Sequence, residues 1–359
     1  MISTLVRRWL PMSLFGIGLT CSSVIAADEA NRSALRAGTI SCARLAPDAL
    51  TSEPRLHPLK YIDAVPAPLV SSRGNDAWQV SLTHANQFMG GSVKGERLLL
   101  DGETTEIGFE RQSRLTQNGH WLAGVRVPIV HHGGGEFDNT ISNWHGIFGM
   151  PDANRSGAEE DVIAYVYERG NGERLALDHS VTALSDIIVS LLWKPSPAAG
   201  MDAGCIGDSG LWRLSMTLPT GSLEDFTGSG NLRLAVDWQS RNLTFGDRWR
   251  VATQLGAAWL GQDGEFGNRH DAVAYGTLGL RFRYSPSLSL RVQFDAHSPY
   301  YASELRELGD PGVTIATGFD WRFATAKGAR WLEVSLVEDI AIDTAADVAV
   351  RLAFRSEAR

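Results

Sequence analysis

Residues 272–297, AVAYGTLGLRFRYSPSLSLRVQFDAH, leave few folds open to this chain. They read as two period-two strands joined by a Ser285-Pro286-Ser287 turn. One face collects Leu278, Leu280, Phe282, Tyr284, Leu288, Leu290, Val292 and Phe294. The other collects Thr277, Gly279, Arg281, Arg283, Ser289, Arg291, Gln293 and Asp295. Alternation of this length, with arginines on one side and aromatics at the strand ends, predicts a hairpin of a transmembrane β-barrel; a long hairpin of a soluble barrel is the competing reading.

The pattern recurs along the chain. Further strands are expected near residues 78–83, 105–115, 121–127, 184–193, 211–218, 232–238, 249–259, 313–323, 330–337 and 347–354. With the hairpin they make about 12 strands, or about 14 if a short hairpin at 162–167 and 174–177 also spans, and both counts are even as bacterial barrels require. Connections near 116–118, 241–247, 285–287 and 324–328 are short, whereas those near 90–102, 129–181, 219–230, 261–270 and 298–311 are longer. Short turns on the periplasmic side and long loops outside are the asymmetry of an outer-membrane barrel; the exception is residues 194–210, a long connection on the short side that contains Cys205. The predicted fold class is therefore all-β, an antiparallel transmembrane β-barrel with a short helical insertion and an irregular N-terminal segment. No stretch beyond the N-terminus has the apolar length of a membrane helix. A net charge of −8 with both signs interspersed argues against a nucleic-acid partner.

Arg7 and Arg8, the apolar run 11–20 and the small residues Ser22, Ser23, Ala26 and Ala27 predict a Sec-type signal peptide over residues 1–26. Residues 27–76 carry Pro47, Pro54, Pro58, Pro66 and Pro68 without a sustained period, which predicts a periplasmic segment or a plug. Residues 77–359 form the expected barrel, interrupted by an insertion at 129–181. Signal removal would leave Cys42 and Cys205 as a disulfide candidate, with two free thiols as the alternative.

The inner face of the barrel carries the chemistry. Counting outward from the 285–287 turn sets Arg281 opposite Arg291, an unfavourable pair without acids nearby. Asp320, Glu333 and Arg351 are expected at a similar height, giving a lumen charge network of mixed sign that favours a narrow or plugged conduit. On the lipid side such charges would cost about 2–4 kcal/mol each near the midplane, so they are assigned inward. His131 and His132 are adjacent on an extended segment and point apart, so no metal or cofactor is expected. Ser142 lies three residues before His145, but no Gly-x-Ser-x-Gly elbow accompanies it; no catalytic residues are assigned, and a lipid hydrolase is the least favoured reading. Residues 143–155 read as a short helix with Ile141, Trp144, Ile147 and Phe148 on its buried face, stopped by Gly149 and Pro151 and flanked by His145 and Arg155. That element is either a constriction in the lumen mouth or a structural plug.

Three groups of residues carry a family resemblance. They are Leu100-Asp101-Gly102-Glu103, Asn143-Trp144-His145-x-x-Phe148-Gly149-Met150-Pro151-x-x-x-Arg155, and Glu338-Asp339. Together, over about residues 78–354, the chain resembles an uncharacterised family of Gram-negative exported proteins, a domain of unknown function expected to form an outer-membrane barrel. The family pattern has Asp after the motif histidine and Leu before the proline, where this chain has Gly146 and Met150. Leu218-Pro219-Thr220-Gly221 with Gly228-Ser229-Gly230 also looks like a loop found in barrels linked to uptake of aromatic or hydrophobic compounds. The expectation is an outer-membrane channel or transporter for a small hydrophobic solute, with a plugged structural barrel as the alternative. Its partners would be outer-membrane lipid and the barrel-assembly machinery.

Overall fold

The computed structural model describes residues 40–41, 50, 57–61, 66, 76–117, 119–135, 162–195, 210–240, 243–246, 248–261, 268–325, 328–340, 345–346 and 348–358. All of these lie within one unit, Ile40–Arg359. In chain order the strands are β1 (Ile40–Ser41), β2 (Ala77–Val93), β3 (Glu96–Arg114), β4 (Trp121–Gly133), β5 (Ala164–Glu168), β6 (Arg174–Leu177), β7 (Val181–Leu184), β8 (Ile187–Trp193) and β9 (Leu211–Leu218). They continue as β10 (Arg233–Gln239), β11 (Leu243–Phe245), β12 (Trp249–Trp259), β13 (Ala272–Arg283), β14 (Leu288–His297), β15 (Gly312–Thr325), β16 (Gly328–Asp339) and β17 (Val348–Ala358). The helices among the described residues are α1 (Pro58–Tyr61) and α2 (Arg306–Gly309), and no helix is long and apolar enough to cross a membrane.

Twelve strands close an antiparallel barrel. They are β2, β3, β4, β8, β9, β10 and β12 to β17, and the ring shuts where β17 pairs with β2. The alternation read from the sequence explains the wall directly, because period two sends neighbouring side chains to opposite faces. In the β13–β14 hairpin Leu278 is 49% exposed and Arg281 1%. The same holds around the ring: Val80, Ile107, Phe109, Leu214, Val236 and Leu352 face out, while Gln79, Ser215, Asp237 and Arg351 face in and are buried. The wall is thus apolar outside and polar within, the arrangement of a barrel solvated by lipid.

One rim carries the short turns and a girdle of aromatics. Trp78 meets Phe354 at 5.6 Å, Trp121 meets Trp193 at 6.4 Å, Trp249 meets Phe282 at 4.7 Å and Trp321 meets Phe323 at 5.1 Å. Amphipathic rings suit a membrane interface. We call this the turn rim and the opposite one the loop rim.

Several boundaries differ from the sequence expectation. The stretch 90–102 is not a connection: β2 and β3 run on through it and reverse at Lys94 and Gly95, both with positive φ (45° and 88°). Leu98 and Leu100 there are buried, so the extension has a core of its own to pack against. Asp101-Gly102-Glu103 consequently lies inside β3 rather than ahead of a strand. The hairpin β5–β6 does not span; β5 pairs with Arg97–Asp101 of β3, which settles the count at 12 rather than 14. The strand expected at 184–193 is two, β7 and β8, both on β4 and separated by Ser185 and Asp186. The 241–247 connection contains β11, which pairs with β12 and with β1. The expected helix within residues 143–155, with its motif residues His145, Phe148, Gly149, Pro151 and Arg155, and the residues Cys42 and Cys205 lie outside the described residues.

Candidate solute path through the lumen

Toward the turn rim, strands β12 to β17 bring a belt of buried charges together. Arg250, Arg281 and Arg291 stand side by side in direct register across β12, β13 and β14. Asp320 lies 2.7 Å from Arg281 Nη2 and accepts from Arg291 Nη1 at 2.5 Å. Glu333, opposite Asp320 in register, has Arg355 Nε at 3.4 Å, Arg351 Nη1 at 3.6 Å and Arg291 Nη1 at 3.9 Å. Arg355 also approaches Glu357 (3.9 Å) and lies over the Trp331 ring, 4.6 Å from its centroid. All of these side chains are buried. Two placements depart from a simple level belt. Asp320 pairs with Ser289, leaving Arg291 opposite Gly318, and Arg351 pairs with Ser335, so it meets Glu333 diagonally. Arg250, Arg355 and Glu357, which are not among the expected network residues, belong to the belt as well; all three obey the same inward parity as Arg281, Arg351 and Glu333, so the alternation alone marks them.

Other ion pairs line the rest of the wall. Arg126 reaches Glu106 (2.5 Å) and Glu110 (3.3 Å) from β4 to β3. Asp237 accepts from Arg213 Nε (2.8 Å), Gln254 Nε2 (3.1 Å) and Tyr275 Oη (3.1 Å). Gly256 makes that last contact possible, because a Cβ there would fall 2.5 Å from the Tyr275 ring.

The loop rim closes around aromatics. The 219–230 loop folds inward because Asp186, in the break between β7 and β8, collects it: the carboxylate accepts from Gly221 N (2.9 Å), Ser229 N (3.0 Å) and Arg233 Nη2 (2.6 Å). Phe226, at φ 56°, is driven into the mouth, buried 5.6 Å from Tyr165. The Phe226 carbonyl can only accept, so His132 carries its proton on Nε2 (3.2 Å) and its Nδ1 accepts from Thr104 Oγ1 (2.9 Å). Tyr165 Oη donates to Gln87 Oε1 at 2.9 Å, and burial pushes its phenol well above the ordinary tyrosine range. Gly102, at φ 147°, is where β3 changes partner from β4 to β5; a Cβ there would sit 2.8 Å from the Gly133 carbonyl and 3.2 Å from Tyr165. That is the local reason for glycine between Asp101 and Glu103. Glu103 itself is buried and meets His84 Nε2 at 3.2 Å and Asn86 Nδ2 at 3.5 Å; Asp101 is half-buried opposite Phe88.

Glu96 ties the outermost elements together. Its carboxylate accepts from Ser303 Oγ (2.5 Å), Asn268 Nδ2 (3.3 Å) and Tyr167 Oη (3.4 Å), and Arg169 Nε lies 3.7 Å away. Beside it opens a cleft of about 290 Å³ lined by Lys94, Glu96, Arg169, Asn171 and Glu304. No local sequence signal marks Glu96, because its partners come from three separate loops.

The described residues of the N-terminal segment also touch the inner wall. Leu50 is buried against Ala252, the Pro66 carbonyl accepts from Gln254 Nε2 (3.4 Å), and Leu59 packs in the mouth cluster with its carbonyl accepting from Tyr301 Oη (3.2 Å). His131 and His132 diverge, His131 bonding Thr182 (2.8 Å), and among the described residues no group of His, Cys, Asp or Glu could hold a metal.

A family model described as "Protein of unknown function (DUF3187)" matches residues 54–357. No curated protein matches the chain. Among solved structures, the COG4313 outer membrane channel from Pseudomonas putida F1 is similar at 12% identity, covering 79% of this chain and 95% of that one, with a TM-score of 0.47. The TodX deltaS2S3 mutant monoaromatic hydrocarbon channel is similar at 10% identity, covering 79% and 89%, with a TM-score of 0.35. A Pseudomonas aeruginosa FadL homologue is similar at 8% identity, with the same coverages and a TM-score of 0.35.

Proposed function

The chain belongs to the family described as Protein of unknown function (DUF3187), and we propose that it is an outer-membrane β-barrel acting as a narrow channel for a small solute with an apolar body. The observation that carries this reading is the inside-out wall: a closed ring whose outward Leu, Val and Phe need lipid and whose inward face is mostly polar and charged, with small apolar clusters such as Leu122, Leu192 and Leu211. The mouth supports the apolar part, since Tyr165, Phe226, Tyr275 and Tyr301 pack together over the lumen. A signal peptide over residues 1–26 and insertion through the barrel-assembly machinery belong to the same reading.

A plugged, non-conducting barrel is the second reading. It is favoured by Leu50 and Pro66, which touch the inner face of β12 at Ala252 and Gln254, and by Leu59, which packs in the mouth cluster. Membrane fractionation with a heat-shift gel tests the location: a mature protein that stays soluble without detergent ends the membrane reading. Planar-bilayer recording of refolded protein, with and without residues 28–75, separates the two functions. Conductance in the full chain supports the channel. Conductance only in the shortened chain supports the plug, and none in either supports a structural barrel.

A further inference from the structure

The wall formed by β12 to β17 concentrates guanidinium groups. Arg250, Arg281 and Arg291 are direct neighbours on three successive strands, and Arg351 and Arg355 continue the array on β17. The opposing wall shares its charges differently: there Arg126 serves two acids, Glu106 and Glu110, and Arg213 has Asp237 as its own partner. Arginines placed laterally in register repel, and they are stable only with an anion among them. Here the anions are carboxylates, each shared. Asp320 serves Arg281 and Arg291, and Glu333 serves Arg291, Arg351 and Arg355.

We propose that this arginine wall is the selectivity element of the conduit and that it passes small organic anions, specifically carboxylates on an apolar body. The physical reason is exchange of like for like. A forked, planar guanidinium pairs with a carboxylate through parallel donors. A solute carboxylate reaching Arg291 replaces Asp320 or Glu333 with a group of the same charge and shape, so no buried arginine is left bare at any step. Arg250, Arg281 and Arg291 stand side by side around one level of the conduit, and a ring of arginines shared with carboxylates favours anions there without holding any one tightly. Its apolar body fits the approach, because the mouth above the belt is built from Tyr165, Phe226 and Tyr275. The proposal rests on the channel reading and deepens it by naming the solute class.

The test is the reversal potential of the full chain in a planar bilayer under a gradient of potassium benzoate at neutral pH. The expected result is a potential displaced toward the benzoate equilibrium value. Arg291→Gln and Arg351→Gln should each move it several-fold closer to the potassium value, and Asp320→Asn should move it further toward benzoate. A wild-type potential at zero or on the potassium side overturns the anion proposal while leaving the channel in place. Folded arginine variants, judged by the heat-shift gel, that keep the wild-type preference also overturn it. If the arginine variants do not fold, the wild-type sign and Asp320→Asn decide. Absence of conductance in potassium benzoate and in potassium chloride alike removes the channel reading and this one together.

Discussion

Arg281 and Arg291 face each other directly across the β13–β14 hairpin, and both reach one carboxylate, Asp320, at 2.7 and 2.5 Å. A like-charge pair in register is held by an acid from the next strand. The hairpin that exposes Leu278 and Leu280 outward is thereby stitched inward to β15, and through Asp320 opposite Glu333 to β16 and β17.

Removing that acid should be costly. Asp320→Ala leaves two buried guanidinium groups without their shared partner, and a loss of about 3–5 kcal/mol is expected. Urea titration of the protein in lipid vesicles reads it. Replacing Arg281, Arg291 and Asp320 together by Leu should recover most of the loss, since no charge is then left buried and unpaired.

The outer wall makes the opposite prediction. Leu280→Arg places a charge on the apolar face and should cost about 2–4 kcal/mol if the site lies near the bilayer midplane. The same substitution at Ser287, in the exposed turn, should be nearly silent. Equal effects at the two positions in vesicles would contradict a lipid-facing β13.

Glu96 should govern the outermost closure without holding the barrel together. Glu96→Ala releases Ser303, Asn268 and Tyr167 at once, with a local cost of about 1–3 kcal/mol for bonds to a charged group. Proteolysis of intact cells should then cut within residues 164–177 or 298–311 while the heat-shift of the barrel stays unchanged. Protection equal to wild type would show that the loops hold without it.

Tyr167 predicts an alkaline limit. Burial pushes its phenol up to about 12, with the bond from Asn268 opposing the rise. The folded state therefore favours the neutral phenol, whereas the unfolded chain ionises near the ordinary tyrosine value. The stabilisation is complete below about pH 10 and is lost as pH rises from there through about 12. Hydrogen exchange of β5 and β6 should accelerate over that interval in the wild type and less so in Tyr167→Phe.

How far the site could be read in advance depends on the kind of relationship. The Arg281–Arg291 juxtaposition follows from counting outward from a tight turn, because a hairpin ties register to loop length. The partner of Asp320 does not, since β14 and β15 are joined by residues 298–311, too many for the turn to set the register. Arg250, Arg355 and Glu357 were available to the same parity argument. Glu96 and Asp186 were not, for each acts on backbone or side chains remote in sequence. The length of β2 and β3 is hidden in the sequence because Gly90, Gly91 and Gly102 resemble loop composition; the buried Leu98 and Leu100 and the hairpin β5–β6 keep that extension as strand.

What the sequence by itself determined was the wall: an even set of antiparallel strands whose two faces differ, since a period of two is a local property that each strand states alone. Tertiary structure decided the closure at 12, the diagonal contacts of Arg351, and the gathering of Asp186, Phe226 and Glu96 over the mouth. Those depend on strand stagger and on where long loops settle. Both are fixed by summed packing and by the need to give each buried charge a partner, which no single segment encodes.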